Sequence, residues 1–295
     1  MRVDFERPEL RFDFDETFHV RARSSPIFFA GRYRKLSREI PATLWIHHAC
    51  RGQGCNTCSY SGTLCGPSLQ EILERPLLRH SGGTTTSLHT LGREDTDVLM
   101  LGEGRPFVVE VSRPRKRTLP LRHIQEVVAA SGLVEISRLT PVEGSMVAAV
   151  KKASADKTYR AWIVAERPLP ADAAARVETL RGVTLQQLSP TRVMHRRGRD
   201  TLRKKRFIQS IWLGEIHGRY VWEMRVESGT YIKELVSGDE GRTRPSLSEA
   251  LGVPCRVVAL DVLQVHWDPP WNRQEMLQRH DDTSSYLETP PERFS

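Results

Sequence analysis

The sequence predicts a mixed α/β protein of the α+β kind, on three observations. Capping boxes, each a serine followed three residues later by a glutamate, open helical segments at Ser68 and Ser246. Apolar residues at helical spacing over 120–132 predict a further helix that ends at a glycine. Alternating apolar and charged residues over 207–227 predict two strands that flank a turn at 217–218.

The other elements follow from local patterns in chain order. Alternating apolar patches before residue 45 predict short strands, with the basic cluster 32–35 in an exposed loop. Pro76 is expected to disrupt the helix that begins at Ser68. The later patterns predict a short strand after Gly92, a turn at Gly102 and Gly104, a strand over 107–111, a strand over 157–165, a helix over 172–182, a β-rich segment over 255–267 and a polar tail over 268–295.

The chain is basic. Its 295 residues carry a formal net charge of +8 and the pI is about 9.5, which is compatible with an RNA partner. Only eight of the 44 basic residues are lysine, and arginine pairs with phosphate oxygens two at a time. Because no apolar run approaches membrane-spanning length and residues 1–6 lack the apolar core of a signal peptide, we expect a cytoplasmic protein without a membrane partner.

The most informative segment covers residues 92–107. It presents acids in a loop after Gly92, and Asp95 lies close in sequence to Arg93, a cation that can keep a carboxylate ionised. By itself, an acid in a glycine-flanked loop is more often a solvated turn residue. Only the combination with the segments that follow favours a catalytic role.

That combination resembles the nucleophile loop of pseudouridine synthases. Gly-Arg-Glu-Asp at 92–95 is followed by Asp-Val, a short apolar stretch and Gly-Arg-Pro-Phe at 104–107. The loop is similar in particular to that of the archaeal and eukaryotic tRNA pseudouridine synthase family, which acts on uridines 54 and 55 of the TΨC arm. The resemblance covers residues 24–267, places the nucleophile at Asp95 and adds Arg93 to the substrate-binding residues.

Two further motifs follow in the order of that family. Lys-Thr-Tyr at 157–159 matches the second motif, whose tyrosine stacks on the target uracil, although the strand pattern alone favours a core aromatic. Gly-Thr-Tyr-Ile-Lys-Glu-Leu at 229–235 matches the third. The resemblance implies that Tyr159 stacks on the base, that Tyr231 contacts the substrate and that Lys233 pairs with the nucleophile. The hydroxyl of Tyr159 is also a candidate to assist removal of the C5 proton, and we expect Ile232 and Leu251 to form apolar walls of the pocket.

The resemblance also implies an architecture. The family has a bilobed catalytic fold around a central, mainly antiparallel sheet, and its full-length members carry a longer N-terminal RNA-binding region of the THUMP type. We therefore expect a truncated N-terminal accessory region at 1–67, a catalytic domain at 68–267 and a tail at 268–295. Because the isomerisation involves no net redox change, we expect no cofactor for catalysis. We expect a monomer whose partner is tRNA.

A basic run over 191–206 predicts contact with the RNA backbone. It holds eight lysines and arginines in sixteen residues with Asp200 as its one acid, so neighbouring acids cannot neutralise it. Phosphate contacts of this kind position RNA without reading its sequence. The residues predicted to make them are Arg192, Arg196, Arg197, Arg203, Lys204, Lys205 and Arg206.

Four cysteines crowd into residues 50–65 with the spacing C-x4-C-x2-C-x6-C, and His47 and His48 precede them. In a reducing compartment this pattern favours a metal site over a disulfide, and a structural zinc is bound by four nitrogen or sulfur ligands. The alternative is four reduced thiols without a ligand. The predicted zinc ligands are Cys50, Cys55, Cys58 and Cys65.

Two other classes of protein compete with a synthase. One is a non-catalytic tRNA-binding protein or tRNA chaperone derived from a synthase, and the presence of Asp95, Tyr159 and Lys233 argues against it. The other is a zinc-dependent nucleic-acid hydrolase, for which the sequence lacks the histidine and carboxylate cluster of an open catalytic site.

Overall fold

A computed structural model describes residues 10–14, 20–43, 46–63, 67–194 and 200–272. Its strands are β1 (Leu10–Phe14), β2 (Val20–Ser24), β3 (Ile27–Lys35), β4 (Thr85–Thr90), β5 (Val98–Ser112), β6 (Val134–Val142), β7 (Asp156–Ala165), β8 (Thr184–Gln187), β9 (Arg203–Ile216), β10 (Arg219–Val226), β11 (Thr243–Arg244) and β12 (Cys255–His266). Its helices are α1 (Leu69–Ser81), α2 (Leu121–Ala129), α3 (Ser145–Lys152), α4 (Ala173–Glu178), α5 (Ile232–Ser237) and α6 (Leu247–Leu251).

Ten of these strands form one sheet, in the order β11-β8-β9-β10-β7-β12-β5-β3-β6, with β4 paired to β5. The strands pair antiparallel throughout this sheet except for β12 and β5, which run parallel. A second sheet holds β1 and β2. The predicted α+β class with a mainly antiparallel central sheet is confirmed.

Helices cover the sheet at two places. α1, α2 and α3 pack near β4, β5 and β6, whereas α4 packs near β9, α5 packs near β12, and α6 contacts α4 and α5. Apolar side chains of both groups belong to one continuous buried cluster with the strands. Within the described residues, no helix is long and apolar enough to span a membrane.

The sequence predicted that the glycines at 102 and 104 separate two strands, and this prediction is wrong. β5 runs without a break through both, and each has a positive φ. A Cβ on Gly102 would lie 2.1 Å from the carbonyl oxygen of Leu263, and one on Gly104 would lie 2.6 Å from that of Tyr33. The glycines therefore let the neighbouring strands β12 and β3 approach an irregular β5, which pairs with β12 before this point and mainly with β3 after it.

The basic cluster 32–35 is also wrongly predicted as an exposed loop. It ends β3, which lies between β5 and β6 in the large sheet, and Arg32, Tyr33 and Lys35 are buried. The buried cations find acceptors, since Arg32 donates to the carbonyl oxygen of Gly104 at 3.0 Å. Strand β3 thus belongs to the large sheet, although the sequence analysis assigned it to the accessory region.

Helix α1 continues through Pro76 to Ser81 and is capped by Gly82, so the predicted disruption is wrong. Proline removes one backbone hydrogen bond, but Leu73, Pro76 and Leu77 are all buried against the core, and that burial offsets the loss. The capping box at Ser68 is confirmed, as its hydroxyl accepts from the N–H of Glu71 at 3.2 Å. Helix α4 is shorter than predicted, because residues 179–182 form turns.

Candidate active site

A cleft of about 410 Å³ opens between the 92–95 loop, β7, β12 and the 228–233 segment. It brings together side chains that are far apart in sequence. Six of the predicted catalytic and substrate-binding residues line it: Arg93, Asp95, Tyr159, Tyr231, Ile232 and Lys233.

The loop that carries Asp95 is held by two cations, one at the end of strand β3 and one just after it. The ammonium of Lys35 donates to the carbonyl oxygen of Thr96 at 2.6 Å, and the guanidinium of Arg38 donates to that of Asp97 at 2.9 Å. Burial of the Lys35 side chain lowers its pKa to about 8, with nearby Glu94 acting in the opposite direction. The loop backbone is thereby fixed while the Asp95 side chain remains 53% exposed to the cleft.

Beneath the loop lies a buried polar network that the sequence analysis missed. Arg105 Nε lies 2.9 Å from Glu94 Oε2, and both side chains are almost fully buried, at 1% and 0% exposed. The Tyr33 hydroxyl donates to the same carboxylate oxygen at 3.1 Å, and Arg105 Nη1 donates to the carbonyl oxygen of Leu91 at 2.7 Å. The network anchors the residue next to Asp95. The sequence signals this network only by Glu94 and Arg105, two charged residues near glycines, and such a pattern is typical of an ordinary turn.

Two cations face the Asp95 carboxylate among the described residues, and Arg93 is not one of them. Arg192 Nη1 lies 3.2 Å and Lys233 Nζ lies 3.8 Å from Asp95 Oδ2. Lys233 is closer to Asp97, at 2.7 Å, so the expected pair of Lys233 with Asp95 is shared between two carboxylates. Burial tends to raise the pKa of Asp97, but the hydrogen bond and the charge of Lys233, together with the charge of Arg192, outweigh it and the pKa is lowered.

Arg192, predicted as an RNA-backbone contact, is exposed, and its guanidinium contacts two carboxylates of the protein. Its Nε lies 2.7 Å from Oε1 of the buried Glu234, on the same helix α5 as Lys233. Burial tends to lower the pKa of Arg192, and the Glu234 carboxylate raises it above the usual value. Glu234 therefore orients Arg192 toward Asp95. The sequence does not indicate this contact, because Arg192 and Glu234 are far apart in the chain.

Tyr159 lies on β7 with its ring at the cleft. Burial raises the pKa of its hydroxyl to about 12, so the group is neutral at physiological pH. A neutral phenol is a hydrogen-bond donor and a poor base, whereas the ring face remains available for stacking. The raised pKa of Tyr159 therefore does not favour proton removal by its hydroxyl.

Tyr231 is positioned through its backbone. The buried Gln187 on β8 accepts from the N–H of Tyr231 at 2.9 Å and donates to its carbonyl oxygen at 3.0 Å. The guanidinium carbon of Arg203 lies 5.4 Å from the centre of the Tyr231 ring, within the range of a cation–π contact. Sequence reasoning offered no signal for Gln187, because a glutamine on a short strand is unremarkable.

Leu251 is not one of the residues that line the cleft. It ends α6, is buried in the core and precedes the helix cap at Gly252. The apolar wall opposite Ile232 comes from Leu260 and Val262, alternate residues of β12 that face the same side of the strand. The prediction for Leu251 is therefore corrected to these two positions.

The rest of the basic run divides between two faces of β9. Lys204 and Arg206 are exposed, whereas Arg203 and Lys205 are partly buried on the other face. Lys205 Nζ lies 3.4 Å from the carboxylate of Glu227. Arg196 and Arg197 lie outside the described residues.

The cysteine-rich segment brings His47, Cys50, Cys55 and Cys58 together, with their possible ligand atoms within 4.8 Å of one another. His47 Nδ1 lies 3.3 Å from Cys50 Sγ and 3.5 Å from Cys55 Sγ, and Cys58 Sγ lies 3.9 Å and 3.7 Å from the same two sulfurs. Four nitrogen or sulfur ligands around a tetrahedral zinc lie about 3.3–3.8 Å apart. The donor set therefore fits zinc. Cys65 lies outside the described residues.

Comparison with known proteins identifies similar chains. The family model "Pus10, C-terminal" matches residues 28–266. A tRNA pseudouridine synthase Pus10 of Halorubrum lacusprofundi is 41% identical over 287 residues, which is 94% of this chain and 67% of that protein. Proteins of the same name from Methanothrix thermoacetophila and Archaeoglobus fulgidus are 42% and 40% identical, over 84% and 88% of this chain and 55% and 72% of their own lengths. The chain thus spans from about half to about three quarters of these relatives.

Proposed function

The chain belongs to the Pus10 C-terminal family, and on that basis we propose that it isomerises uridine to pseudouridine in tRNA, with Asp95 as the nucleophile. The target is a uridine of the TΨC arm, at position 55, at position 54 or at both. The proposal takes tRNA from the relatives, the TΨC arm from the family resemblance and its residues from the cleft.

One observation carries the proposal. A half-exposed carboxylate, two tyrosines and two cations from four separate segments of the chain line a single cleft. A protein that only bound tRNA would have no need for a fixed, accessible carboxylate, which repels phosphate. The described residues thus favour catalysis over the alternative of a tRNA chaperone.

The reaction assigns a task to each group. The N1–C1′ bond of uridine breaks, C5 of the uracil bonds to C1′, and the proton lost from C5 is balanced by one gained at N1. Asp95 supplies a nucleophile that divides one hard step into easier ones. Tyr159 offers a face to the flipped base, Tyr231 and Ile232 bound it, and Arg192 and Lys233 keep the carboxylate charged and oriented.

Release of tritium tests this function. Because C5 loses its proton when it bonds to C1′, the protein should release tritium from an unmodified tRNA transcript that contains [5-³H]uridine. A transcript with cytidine at positions 54 and 55 is the matched control and should release none. Equal release from both transcripts, or release from neither, would contradict the proposal.

We predict that Tyr159→Phe keeps most of the activity. A phenylalanine preserves the stacking face and removes a hydroxyl whose raised pKa makes it a poor base. The single-turnover rate should fall by less than about tenfold, whereas loss of a general base typically costs about 10²-fold or more. Tyr159→Ala is the control that removes the ring and should abolish turnover. A loss of about 10²-fold in Tyr159→Phe would show that the Tyr159 hydroxyl takes part in the chemical step.

We also predict that the exposed face of β9 contacts phosphate. In Lys204→Gln/Arg206→Gln two exposed cations are lost, so tRNA binding should weaken and the slope of log K against log salt should flatten by up to about one unit per lost contact. The exchange Lys204→Arg/Arg206→Lys keeps the charges and should keep the slope. Slopes that agree in all three proteins would mean that this face points away from the RNA.

We further propose that His47, Cys50, Cys55 and Cys58 hold a structural zinc, and that segment 46–63 acts as an accessory clip on the catalytic domain. Few large apolar residues in this segment are buried, so burial alone gives it little order. Burial raises the pKa of the Cys58 thiol, but the amides of Cys55 and Gly62 hydrogen-bond to it and bring it to about 7, which favours the thiolate that binds metals. The reaction uses no Lewis acid from this segment.

Elemental analysis should then find one zinc per chain in protein purified without chelator. Cys55→Ser should lose the metal and lower Tm by about 5 °C or more, equivalent to about 2 kcal/mol. His47→Ala should behave like Cys55→Ser, whereas Cys65→Ser should keep the metal. A metal-free parent protein, or zinc that is lost in Cys65→Ser and kept in His47→Ala, would reject this ligand set.

A further inference from the structure

Lys157 is a buried cation in the cleft to which the roles above assign no task. It lies on β7 two residues before Tyr159, so the two side chains share one face of the strand. Both line the cleft, and Lys157 is only 7% exposed. If the uracil stacks on Tyr159, the edge of the base lies next to the Lys157 ammonium.

The ammonium of Lys157 has weak partners. It donates to the carbonyl oxygen of Ala155 at 3.1 Å and to the hydroxyl of Ser228 at 3.5 Å. The described residues provide no carboxylate in ion-pair contact with it, and an ammonium has three hydrogens to donate. Its nearest acid, Asp156, is engaged by Arg225 at 3.1 Å.

The groups around Lys157 make its charge costly. Arg105 on β5 and Lys205 on β9 repel its charge, and among the described residues Asp156 acts in the opposite direction. Burial, followed by the repulsion of Arg105, lowers the pKa of Lys157 to about 8. A buried charge with weak partners is expensive, and ionisable groups with perturbed pKa values concentrate at functional sites.

The position of Lys157 indicates which part of the substrate contacts its ammonium. RNA phosphates remain at the surface, where Lys204 and Arg206 are exposed, whereas a flipped base is the part of the nucleotide that enters a pocket. When N1–C1′ breaks, its electron pair leaves with the uracil, whose negative charge spreads over N1, O2 and O4, and the electron-poor C1′ is covered by the Asp95 carboxylate. The pair then forms the C5–C1′ bond, C5 loses its proton and N1 gains one.

We propose that Lys157 is a catalytic residue that hydrogen-bonds a carbonyl oxygen of the uracil and stabilises the negative charge of the detached base. The inference rests on the proposed isomerisation and names the group that stabilises its leaving base. A fixed, buried cation stabilises developing charge more than it stabilises the neutral uridine, so its effect belongs to the chemical step.

Single-turnover kinetics with an unmodified tRNA transcript test this role. In Lys157→Met, a neutral side chain of similar length, the rate at saturating protein should fall about 10²-fold or more while Kd for tRNA changes less than about threefold. Lys152→Met, which removes an exposed lysine at the end of α3, should match the parent in both quantities. In Lys157→Ala, added ethylammonium should restore part of the rate, and ethanol should not, because a merely space-filling role would respond to both.

Each other outcome overturns the inference. A weaker Kd with a flatter salt dependence and an unchanged rate would make Lys157 a phosphate contact. Equal rates in the parent and Lys157→Met would leave the isomerisation intact and remove Lys157 from it. A parent protein that fails to turn over the transcript would overturn the proposed function and the role of Lys157 together.

Discussion

Replacing Asp95 by asparagine should abolish pseudouridine formation and leave tRNA binding close to normal. The amide has the shape of the carboxylate but cannot act as the nucleophile, and removal of a nucleophile elsewhere costs about 10⁴-fold or more in rate. Arg192 and Lys233 lose one acceptor charge, but Glu234 and Asp97 still bind them. Tritium release and filter binding, measured on the same preparation, separate the two effects.

Asp97→Asn is the matched control. It removes an acid two residues away that also contacts Lys233, so it changes the charge of the loop by the same amount. Lys233 then has Asp95 as its remaining carboxylate partner, and the rate should fall by no more than about tenfold, since an exposed ion pair contributes about 0–1 kcal/mol. Substantial turnover by Asp95→Asn, or equal losses in the two variants, would contradict the assignment of the nucleophile.

Glu94→Ala should cost the most stability of any change near the cleft. The variant leaves the Arg105 guanidinium buried without its carboxylate and the Tyr33 hydroxyl without its acceptor. Breaking a buried ion pair by removal of one partner costs about 3–5 kcal/mol, which is a large part of the free energy of unfolding of a domain. Urea unfolding at neutral pH measures the loss.

The control for Glu94 is an ion pair at the surface. Glu126→Ala breaks a contact with Arg122 on α2 in which both side chains are exposed, and it should leave the unfolding midpoint unchanged. Tyr33→Phe should give a smaller loss of about 1.5–3 kcal/mol, the scale of one hydrogen bond to a charged group. Equal midpoints for Glu94→Ala and Glu126→Ala would show that the network does not stabilise the loop.

Local patterns were sufficient for the elements whose signals lie within a few residues. The capping box at Ser68, the helix α2 and the alternation along β10 are all present. Errors arose where a distant strand decides the outcome. Gly102 marks a bulge because β12 approaches it, and Lys35 is buried because β3 lies inside the sheet, and neither contact is visible in a local window.

The candidate site divides in the same way. Motifs placed Asp95, Tyr159 and Tyr231, all of which line the cleft. The supporting residues depend on contacts between segments distant in sequence: Gln187 with Tyr231, and Glu234 with Arg192. Leu251 was chosen for an apolar wall that alternate residues of β12 supply, because sequence order does not reveal which strand faces the cleft.

The most direct test is carbodiimide-based mapping of pseudouridine on an unmodified tRNA transcript incubated with the purified protein. The modification marks pseudouridine at single-nucleotide resolution. The proposed function predicts a new stop in the TΨC arm, at position 55, at position 54 or at both, that depends on Asp95 and is absent with Asp95→Asn. A transcript without any stop in that arm after incubation with the folded parent protein would contradict the proposal that this cleft isomerises uridine.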